Sequence, residues 1–353
     1  MLCGVPDATP LFWAERNWNW DRFVHLASDS AVLPSLHVKL DSERFHDSVP
    51  LEIREFLSAV HALNLERNQI ALAQFSEIAL ALNRVGIQPV ALKGIANLLA
   101  GIYPDIGGRY LADIDLLVPE DQLALCASII ESLGYGTGAV PAIELSIGHT
   151  YPTLTRRDSL AVDLHRTTGL GICATFLPAA EVIAQSTVHD LGGAVVRLPS
   201  PEHLVTHHIM HCQMHDWYSN RITPPLRSMY DLLLLQRHFG ATSNWPAIEE
   251  RFCANRQADV LFLYLKSIEE NMGIQSPISL SIKGITRLRW VRRRILARLP
   301  FLRFGDPIYL CKAGILRRTR RLREILAAPG GRDYIASKFF SREFYARVAR
   351  DFS

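Results

Sequence analysis

Two aspartates stand two residues apart inside an apolar run, Ala112-Asp113-Ile114-Asp115-Leu116-Leu117-Val118. The Ile and Val of this run and its lack of a helix breaker predict a buried strand. Alternate side chains of a strand share a face, so we expect the carboxylates of Asp113 and Asp115 on one side, about 7 Å apart. Their mutual repulsion would be relieved by a hard cation such as Mg²⁺. The pair is therefore a candidate metal site, although a strand edge or a cap of the next helix also accounts for it.

A second candidate site lies upstream, where residues 90–99 predict a short strand, a glycine turn and a helix. Gly94 would open that helix, where free backbone N–H groups and the positive end of the dipole can hold a phosphate. Lys93 would add a point charge beside it. An ordinary strand-to-helix turn with a solvated lysine explains the same dipeptide, so both interpretations stay open.

A third carboxylate follows in a predicted hairpin, where two β-rich runs flank the polar turn Arg156-Arg157-Asp158-Ser159. Asp163 and His165 are two residues apart on the second run and therefore share one face of that strand. Strand pairing could bring Asp163 beside Asp113 and Asp115 as a third carboxylate. A polar, solvent-facing side of the hairpin accounts for Asp163 almost as well in isolation.

Several elements must bring these residues together. Apolar residues at helical spacing predict two leading helices, Leu51–Asn64 and Glu66–Arg84, and strands and helices then alternate over residues 88–198. From Pro201 the pattern is helical, with helices expected at 201–215, 225–239, 245–254 and 257–272. We therefore divide the chain into an N-terminal extension (1–50), a catalytic unit with its leading helices (51–198), a helical domain (199–280) and a C-terminal segment (281–353).

Histidines are concentrated on one predicted helix, at positions His203, His207, His208, His211 and His215. Four of them recur at steps of four and form a slowly drifting stripe, a spacing at which histidine pairs can bind zinc. No glutamate lies between His207 and His211, so the HExxH protease motif is absent. Three interpretations remain: a metal site, the lining of an active-site cleft by one or two of them, or packed and solvated histidines.

The following segments occur in this order along the chain: Leu92-Lys93-Gly94, Tyr103, Gly108-Arg109, Asp113-Ile114-Asp115-Leu116-Leu117-Val118, Leu133-Gly134-Tyr135, Val162-Asp163-Leu164-His165, Leu198-Pro199-Ser200-Pro201-Glu202 and Leu226-Arg227-Ser228-Met229-Tyr230-Asp231-Leu232. Their combination resembles the polymerase-β-type nucleotidyltransferase superfamily. Within it, the chain is similar to the bacterial uncharacterised nucleotidyltransferase family of the NTP_transf_5 type. The resemblance runs from about residue 55 to about residue 260.

The resemblance implies an α+β fold: a polymerase-β-like core, made of a mixed sheet with flanking helices, followed by a helical domain. It implies that Asp113 and Asp115 hold two Mg²⁺ ions and that Asp163 completes this catalytic site. Asp163 would also assist deprotonation of the acceptor hydroxyl. The nucleotide-binding positions that it implies are Lys93, Gly94 and Arg109 at the triphosphate and, as a neighbour of the site, His165.

The implied reaction is displacement at the α-phosphorus of an NTP, which transfers an NMP to a hydroxyl or phosphate acceptor and releases pyrophosphate. Two metal ions about 4 Å apart stabilise the attacking and leaving oxygens in such a reaction. The acceptor stays open between an RNA end, a protein or peptide, and a small molecule. Superfamily members usually carry Gly-Ser or Gly-Gly at the phosphate turn, whereas Ile95 follows Gly94 here. The alternative is therefore a catalytically silent nucleotide- or RNA-binding module of the same fold.

The composition, with 48% hydrophobic and 21% charged residues, is that of a globular protein. No run approaches the roughly 18 apolar residues that suggest a membrane span. Residues 1–21 lack the basic start and apolar core of a signal peptide. The six cysteines show no CxxC spacing, which predicts reduced thiols. We therefore expect a cytoplasmic enzyme.

The formal net charge of +3 conceals a strong asymmetry. From residue 281 onward 19 Lys and Arg accompany 5 Asp and Glu, a net charge of +14, whereas the preceding residues carry a net charge of −11. The densest clusters are Arg287–Arg298 and Arg317–Arg323. Such segments suit nucleic acid, an acidic peptide or protein, or an anionic membrane surface. The remaining interpretation is that this segment docks on the acidic body of its own chain.

Overall fold

The computed structural model describes residues 18–40, 49–138, 148–215, 225–280 and 284–298. The strands in these ranges are β1 (Val90–Ala91), β2 (Asp113–Leu117), β3 (Ala161–His165), β4 (Thr187–Leu191) and β5 (Ala194–Leu198). The helices are α1 (Trp20–Asp29), α2 (Leu33–Leu40), α3 (Leu51–Asn83), α4 (Lys93–Leu99), α5 (Leu123–Ser132), α6 (Ile172–Phe176), α7 (Ala179–Ala184), α8 (Pro201–Met210), α9 (Leu226–Phe239), α10 (Trp245–Ala254), α11 (Ala258–Met272) and α12 (Gly284–Arg298).

One mixed sheet carries the fold, with strands in the order β3-β2-β1-β5-β4. β2 runs parallel to β3 and antiparallel to β1, β1 runs parallel to β5, and β4 and β5 are antiparallel. Helices flank this sheet, and the described elements after residue 200 are helical, so the expected α+β class is confirmed. The apolar run around the two aspartates forms β2, as its Ile and Val predict.

The helix α3 is continuous over 33 residues, so the prediction of two helices, Leu51–Asn64 and Glu66–Arg84, is wrong. The sequence from Leu51 to Asn83 holds no Gly or Pro, and nothing in it interrupts the backbone hydrogen bonds. Asn64, at the expected break, is instead a buried side chain whose amide donates to the carbonyls of Gly107 and Arg109, at 2.7 and 3.0 Å. Asn64 therefore marks a tertiary contact and not the end of a helix.

The core is built where α3 and α4 cover the sheet. β1 and most of β2 are fully buried, and α3 contributes Phe75, Ile78 and Leu82 to the same cluster. The helices α8 to α11 follow the predicted bounds within a few residues. Two of them, α8 and α10, begin at side-chain caps that the sequence predicts. Ser200, for example, accepts a hydrogen bond from the backbone N–H of His203 at the start of α8. The helix expected to end at 215 closes with a π-helical turn, His211–His215.

The described part of the basic C-terminal segment is α12, which contacts acidic side chains of α11. Arg289 pairs with Asp259, Arg294 lies 3.8 Å from Glu270, and the indole N–H of Trp290 donates to Glu270 at 3.2 Å. The second basic cluster, Arg317–Arg323, lies outside the described residues, so docking of the whole segment stays a prediction. None of the described helices is long and apolar enough to cross a membrane.

Candidate active site

The register of β2 on β3 sets the two acidic strands side by side. Asp115 pairs with Asp163 and Asp113 pairs with Ala161, so the carboxylates of the two strands emerge at one place. The expected hairpin is present, because Leu154 and Val162 exchange backbone hydrogen bonds of 3.0 and 2.8 Å. That pairing places Thr153 across from Asp163, and its hydroxyl donates to Oδ1 of Asp163 at 2.8 Å.

Asp115 is almost completely buried and is held by two basic side chains. Nζ of Lys93 lies 2.6 Å and Nε2 of His165 lies 2.8 Å from the same oxygen, Oδ1. Burial alone would raise the pKa of Asp115, but Lys93 and His165 hold this pKa well below its usual range. Asp115 is therefore an ionised carboxylate, held in one orientation.

The pKa of Asp113 is shifted in the opposite direction to that of Asp115. Burial and the neighbouring charges of Asp115 and Asp163 raise its pKa, against the effect of Lys93. Burial lowers the pKa of Lys93, but the charges of these three carboxylates outweigh it, so this pKa is raised. Lys93 and His165 are thus the basic side chains that act on these carboxylates. Three acidic groups share these two neighbours, and a divalent cation would supply further positive charge.

The donor atoms around Asp115 converge closely enough to hold a metal ion. One ligand atom from each of Asp115, Asp163 and His165 lies within 4.8 Å of the other two. Asp113, Asp115 and Asp163 do not meet this distance together in the described ranges. Carboxylate oxygens suit Mg²⁺ or Mn²⁺, and an imidazole nitrogen is compatible with Mn²⁺ and later metals. The residues present therefore fit a divalent cation at this position.

The segment expected to bind phosphate lies directly beside Asp115. The backbone of Lys93 has φ +49°, an uncommon conformation for a residue with a side chain. It begins α4, one residue before the expected start at Gly94. Ile95, the departure from the superfamily pattern, is completely buried in the hydrophobic core.

Arg109 is bound to a buried carboxylate of the helical half. Its Nε and Nη2 donate to Oδ1 and Oδ2 of Asp231 on α9, at 3.1 and 3.0 Å, and Nη1 donates to the Tyr110 carbonyl at 3.3 Å. The hydroxyl of Tyr103 donates to Oδ1 of Asp231 at 2.5 Å. Burial and the Asp231 charge raise the pKa of Tyr103 well above its usual value, so it stays a donor. This cluster joins the sheet side of the site to α9.

A cleft opens beside these groups, between the β2 side of the sheet and the helices α8 and α9. Its sheet-side wall includes Lys93, Gly94, Asn97, Arg109, Tyr110, Asp113 and Asp115. Its helical wall includes Leu204, His207, His208, His211, Cys212, Arg227, Ser228 and Asp231. The expected residues Lys93, Gly94, Arg109, Asp113 and Asp115 therefore share one cavity, and Asp163 and His165 contact its Asp115 end.

Residues 16–273 match the model of a protein family described as uncharacterised nucleotidyltransferase. The chain belongs to this family. It is therefore a transferase of the nucleotidyltransferase class. No curated protein matches the chain.

Three solved structures are similar to this nucleotidyltransferase at low sequence identity. The solution structure of the antibiotic-resistance factor ANT(2'')-Ia is 15% identical, with a TM-score of 0.36, over 52% of this chain and 90% of that chain. The crystal structure of ANT(2'')-Ia with adenylyl-2''-tobramycin is 16% identical, with a TM-score of 0.36, over 52% of this chain and 96% of that chain. An antigenic nucleotidyltransferase-like protein from Paracoccidioides brasiliensis is 16% identical, with a TM-score of 0.33, over 54% of this chain and 93% of that chain.

The histidine stripe of the nucleotidyltransferase divides between the cleft and the core. His207, His208 and His211 line the cleft, whereas His203 is buried and lies 3.0 Å from Glu181, away from it. Burial lowers the pKa of His207 well below its usual value and that of His208 to about 4, so both are neutral at physiological pH. Lining of the cleft, one of the three interpretations, therefore describes two members of the stripe, His207 and His211, and in addition His208.

Several contributors to the site were missed by sequence reasoning. Asn64 and Asn68 of α3 hold the backbone of the loop that presents Arg109, through bonds of 2.5 to 3.0 Å. Thr153 was missed although the hairpin register places it across from Asp163. Arg227 lies within the Leu226–Leu232 segment, whose pattern indicates no role for it. Only Thr153 had a usable signal, because the position of the turn sets the register of a hairpin.

Proposed function

We propose that this nucleotidyltransferase catalyses Mg²⁺-dependent transfer of an NMP from an NTP to a hydroxyl or phosphate acceptor, with release of pyrophosphate. The observation that carries this proposal is the pairing of Asp115 with Asp163 at a cleft that also holds Asp113 and Lys93. Family membership supports the reaction class. We assign Asp113, Asp115 and Asp163 to the metal ions.

Divalent ions, when bound, stabilise the charge that develops on the attacking and leaving oxygens. The chain's own contribution is orientation. Lys93 and His165 both act on Oδ1 of Asp115, which fixes the plane of this carboxylate and directs Oδ2 as a ligand atom. Thr153 fixes Oδ1 of Asp163 in the same way. We propose that Oδ2 of Asp163 accepts the hydrogen bond, and then the proton, of the acceptor hydroxyl.

The triphosphate contacts are proposed at Lys93, Gly94 and Arg109, because all three line the cleft next to the carboxylates. Lys93 supplies an ammonium group that can move from Asp115 to a phosphate oxygen once cations neutralise the carboxylates. Arg109 acts mainly as a fixed positive charge, because two of its donor nitrogens are bound to Asp231. His165 is assigned to the orientation of Asp115.

The acceptor is proposed to be an RNA end, a protein or peptide, or a small molecule, and the basic charge beyond residue 280 favours an anionic one. We place the enzyme in the cytoplasm. This is supported by Cys126, Cys173, Cys212 and Cys253, which form no disulfide in the described part of the chain.

The test is transfer of label from each α-³²P-NTP to a lysate of the native host, with Mg²⁺. We expect transfer by the wild type and by Asp121→Asn, a control at an exposed carboxylate. A loss of about 10³-fold or more is expected in Asp113→Asn and in Asp163→Asn. The mobility of the labelled product identifies the acceptor class. Magnesium-dependent NTP binding without any transfer would contradict the proposal and favour the silent-module alternative.

A further inference from the structure

Arg227 is a half-buried arginine of the helical wall, in the first turn of α9. Its side chain lines the same cleft as Asp113 and Asp115. It makes no hydrogen bond and no ion pair with any residue in the described ranges. Partial burial without a partner withdraws a guanidinium from water without the gain of a hydrogen-bonded anion.

The nearest candidate partner on the same helix is already in use. Asp231 lies one turn further along α9, at the i,i+4 spacing that favours ion pairs. Both of its oxygens accept hydrogen bonds from Arg109, and Oδ1 also accepts the Tyr103 hydroxyl. The Asp231 side chain is only 4% exposed, so it offers no carboxylate to Arg227.

Four other basic groups of the cleft, Lys93, Arg109, His207 and His208, differ from Arg227 in this respect. Lys93 is paired with Asp115, and Arg109 is paired with Asp231. His207 and His208 are uncharged, because burial lowers the pKa of each. Arg227 is thus a permanent positive charge that faces the cleft without a protein anion among the described residues.

We propose that Arg227 binds a phosphate group of a substrate in this cleft. The planar guanidinium presents paired N–H donors that match two oxygens of a phosphate, which makes arginine well suited to this ligand. This inference rests on the proposed function and adds a substrate contact to it. The phosphate belongs either to the nucleotide or to an acceptor that itself carries phosphate, and the experiment separates these sources.

The first measurement is calorimetric titration of the full chain with inorganic pyrophosphate and with inorganic phosphate, in the absence of metal. Arg227→Gln should bind these anions about 10- to 100-fold more weakly than the wild type, as expected for loss of a charge-assisted hydrogen bond. Arg227→Lys should retain part of the affinity, because lysine keeps the positive charge but lacks the paired N–H donors of the guanidinium. Arg237→Gln, at an exposed arginine near the other end of α9, should bind like the wild type.

A thermal unfolding curve distinguishes a binding role from a structural one. Because Arg227 has no partner among the residues that the structure describes, Arg227→Gln should unfold at the same temperature as the wild type or slightly above it. A clear fall in the unfolding temperature, or unchanged affinity for both anions, would overturn the proposal. So would a wild type that binds neither anion.

The second measurement uses the magnesium complex of α,β-methylene-ATP. Weaker binding of this analogue by Arg227→Gln assigns the phosphate to the nucleotide. Equal analogue binding, with loss of inorganic phosphate binding to the analogue-saturated protein, assigns it to the acceptor. A wild type that binds pyrophosphate through Arg227 but no analogue supports the anion site while contradicting the proposed nucleotidyl transfer, so the two failures are distinguishable.

Discussion

A Cβ atom on Gly94 would lie 2.3 Å from Nη1 of Arg109 and 2.5 Å from a methyl carbon of Leu111. The guanidinium therefore occupies the space that any side chain at position 94 would need. Arg109 cannot move away cheaply, because Asp231 holds two of its nitrogens and the group is buried. The glycine of the Leu92-Lys93-Gly94 segment is thus explained by close packing against Arg109, in addition to any approach of a phosphate.

Gly94→Ala should destabilise the protein even though alanine is the better helix former. Alanine in place of glycine within a helix gains up to about 1 kcal/mol, but overpacking against a fixed guanidinium costs about 1–3 kcal/mol. We expect a net loss of about 1 kcal/mol or more in the free energy of urea unfolding. Gly138→Ala is the matched control, because no atom lies within 4 Å of a Cβ there. Equal stability of Gly94→Ala and the wild type would show that Arg109 can move.

Neutralisation of the two aspartates of β2 should change stability in opposite directions. Asp115→Asn removes the partner of a mostly buried ammonium group and should destabilise the protein by about 3 kcal/mol. Asp113→Asn removes a charge that the folded state disfavours and should raise the Tm of the metal-free protein by about 1–3 °C. Calorimetry in EDTA measures both effects, and destabilisation by both variants would contradict the electrostatic difference between them.

The pH dependence of these two variants follows from the sign of each pKa shift. The pKa of Asp115 is lowered by folding, so its stabilising effect is present above about pH 4 and is lost as the pH falls below that value. The stability difference between the wild type and Asp115→Asn should therefore shrink toward pH 3. The pKa of Asp113 is raised, so its unfavourable effect is absent at low pH and grows as the pH rises above about 4. The gain from Asp113→Asn should consequently be seen at pH 7 and not at pH 3.

The backbone of Lys93 stores strain beside the proposed site. A non-glycine residue at positive φ is disfavoured by about 1 kcal/mol or more, and glycine avoids this cost. Lys93→Met and Lys93→Gly both remove the ammonium group, so their difference isolates the backbone. We expect Lys93→Gly to be the more stable by about 1 kcal/mol in urea unfolding. Arg256 also has a positive φ, +58°, and lies away from the cleft. The stability difference between Arg256→Met and Arg256→Gly therefore gives the size of this backbone effect outside the site. A more stable Lys93→Met would show that the backbone relaxes to negative φ.

The parts of the site that the sequence predicts are those carried by short-range patterns. The alternation of β2 placed Asp113 and Asp115 on one face, and the hairpin turn identified Asp163 as a candidate third carboxylate. Pairing of Asp115 with Asp163 in the structure agrees with that arrangement. Helix ends such as Ser200-Pro201 were readable because capping depends on a few adjacent residues.

The parts that the sequence does not predict depend on distant elements. Arg109 and Asp231 are 122 residues apart, and nothing in either segment specifies that their side chains meet. Asn64 looked like a helix end because its tertiary partners are in the loop at 107–109, more than 40 residues away. That Arg227 has no partner within the described ranges also depends on every element around the cleft. Side-chain types are local, whereas the pairing of buried polar groups is decided by packing.

His207 should make the protein less stable below neutral pH. It is buried on α8, and Nε2 lies 3.1 Å from the Thr168 carbonyl, to which it donates when the ring is neutral. Burial lowers its pKa well below the usual value, and the charges of His211, Lys93 and His165 lower it further, while the Thr168 carbonyl opposes them. Since the unfolded chain binds a proton at about pH 6.5 and the folded chain does not, stability falls as the pH drops below about 6.5.

His207→Gln removes the titrating ring and therefore the fall in stability that protonation of the unfolded chain causes. The glutamine retains an amide that can donate to the Thr168 carbonyl. Between pH 7.5 and 5.5 the wild type should lose about 1 kcal/mol more unfolding free energy than this variant, since each pH unit below 6.5 contributes up to about 1.4 kcal/mol. His238→Gln, at an exposed position of α9, should follow the wild type. Urea unfolding at the two pH values provides the comparison. An unchanged pH dependence in His207→Gln would mean that the folded protein protonates this ring, and that the helical wall of the cleft carries an additional positive charge.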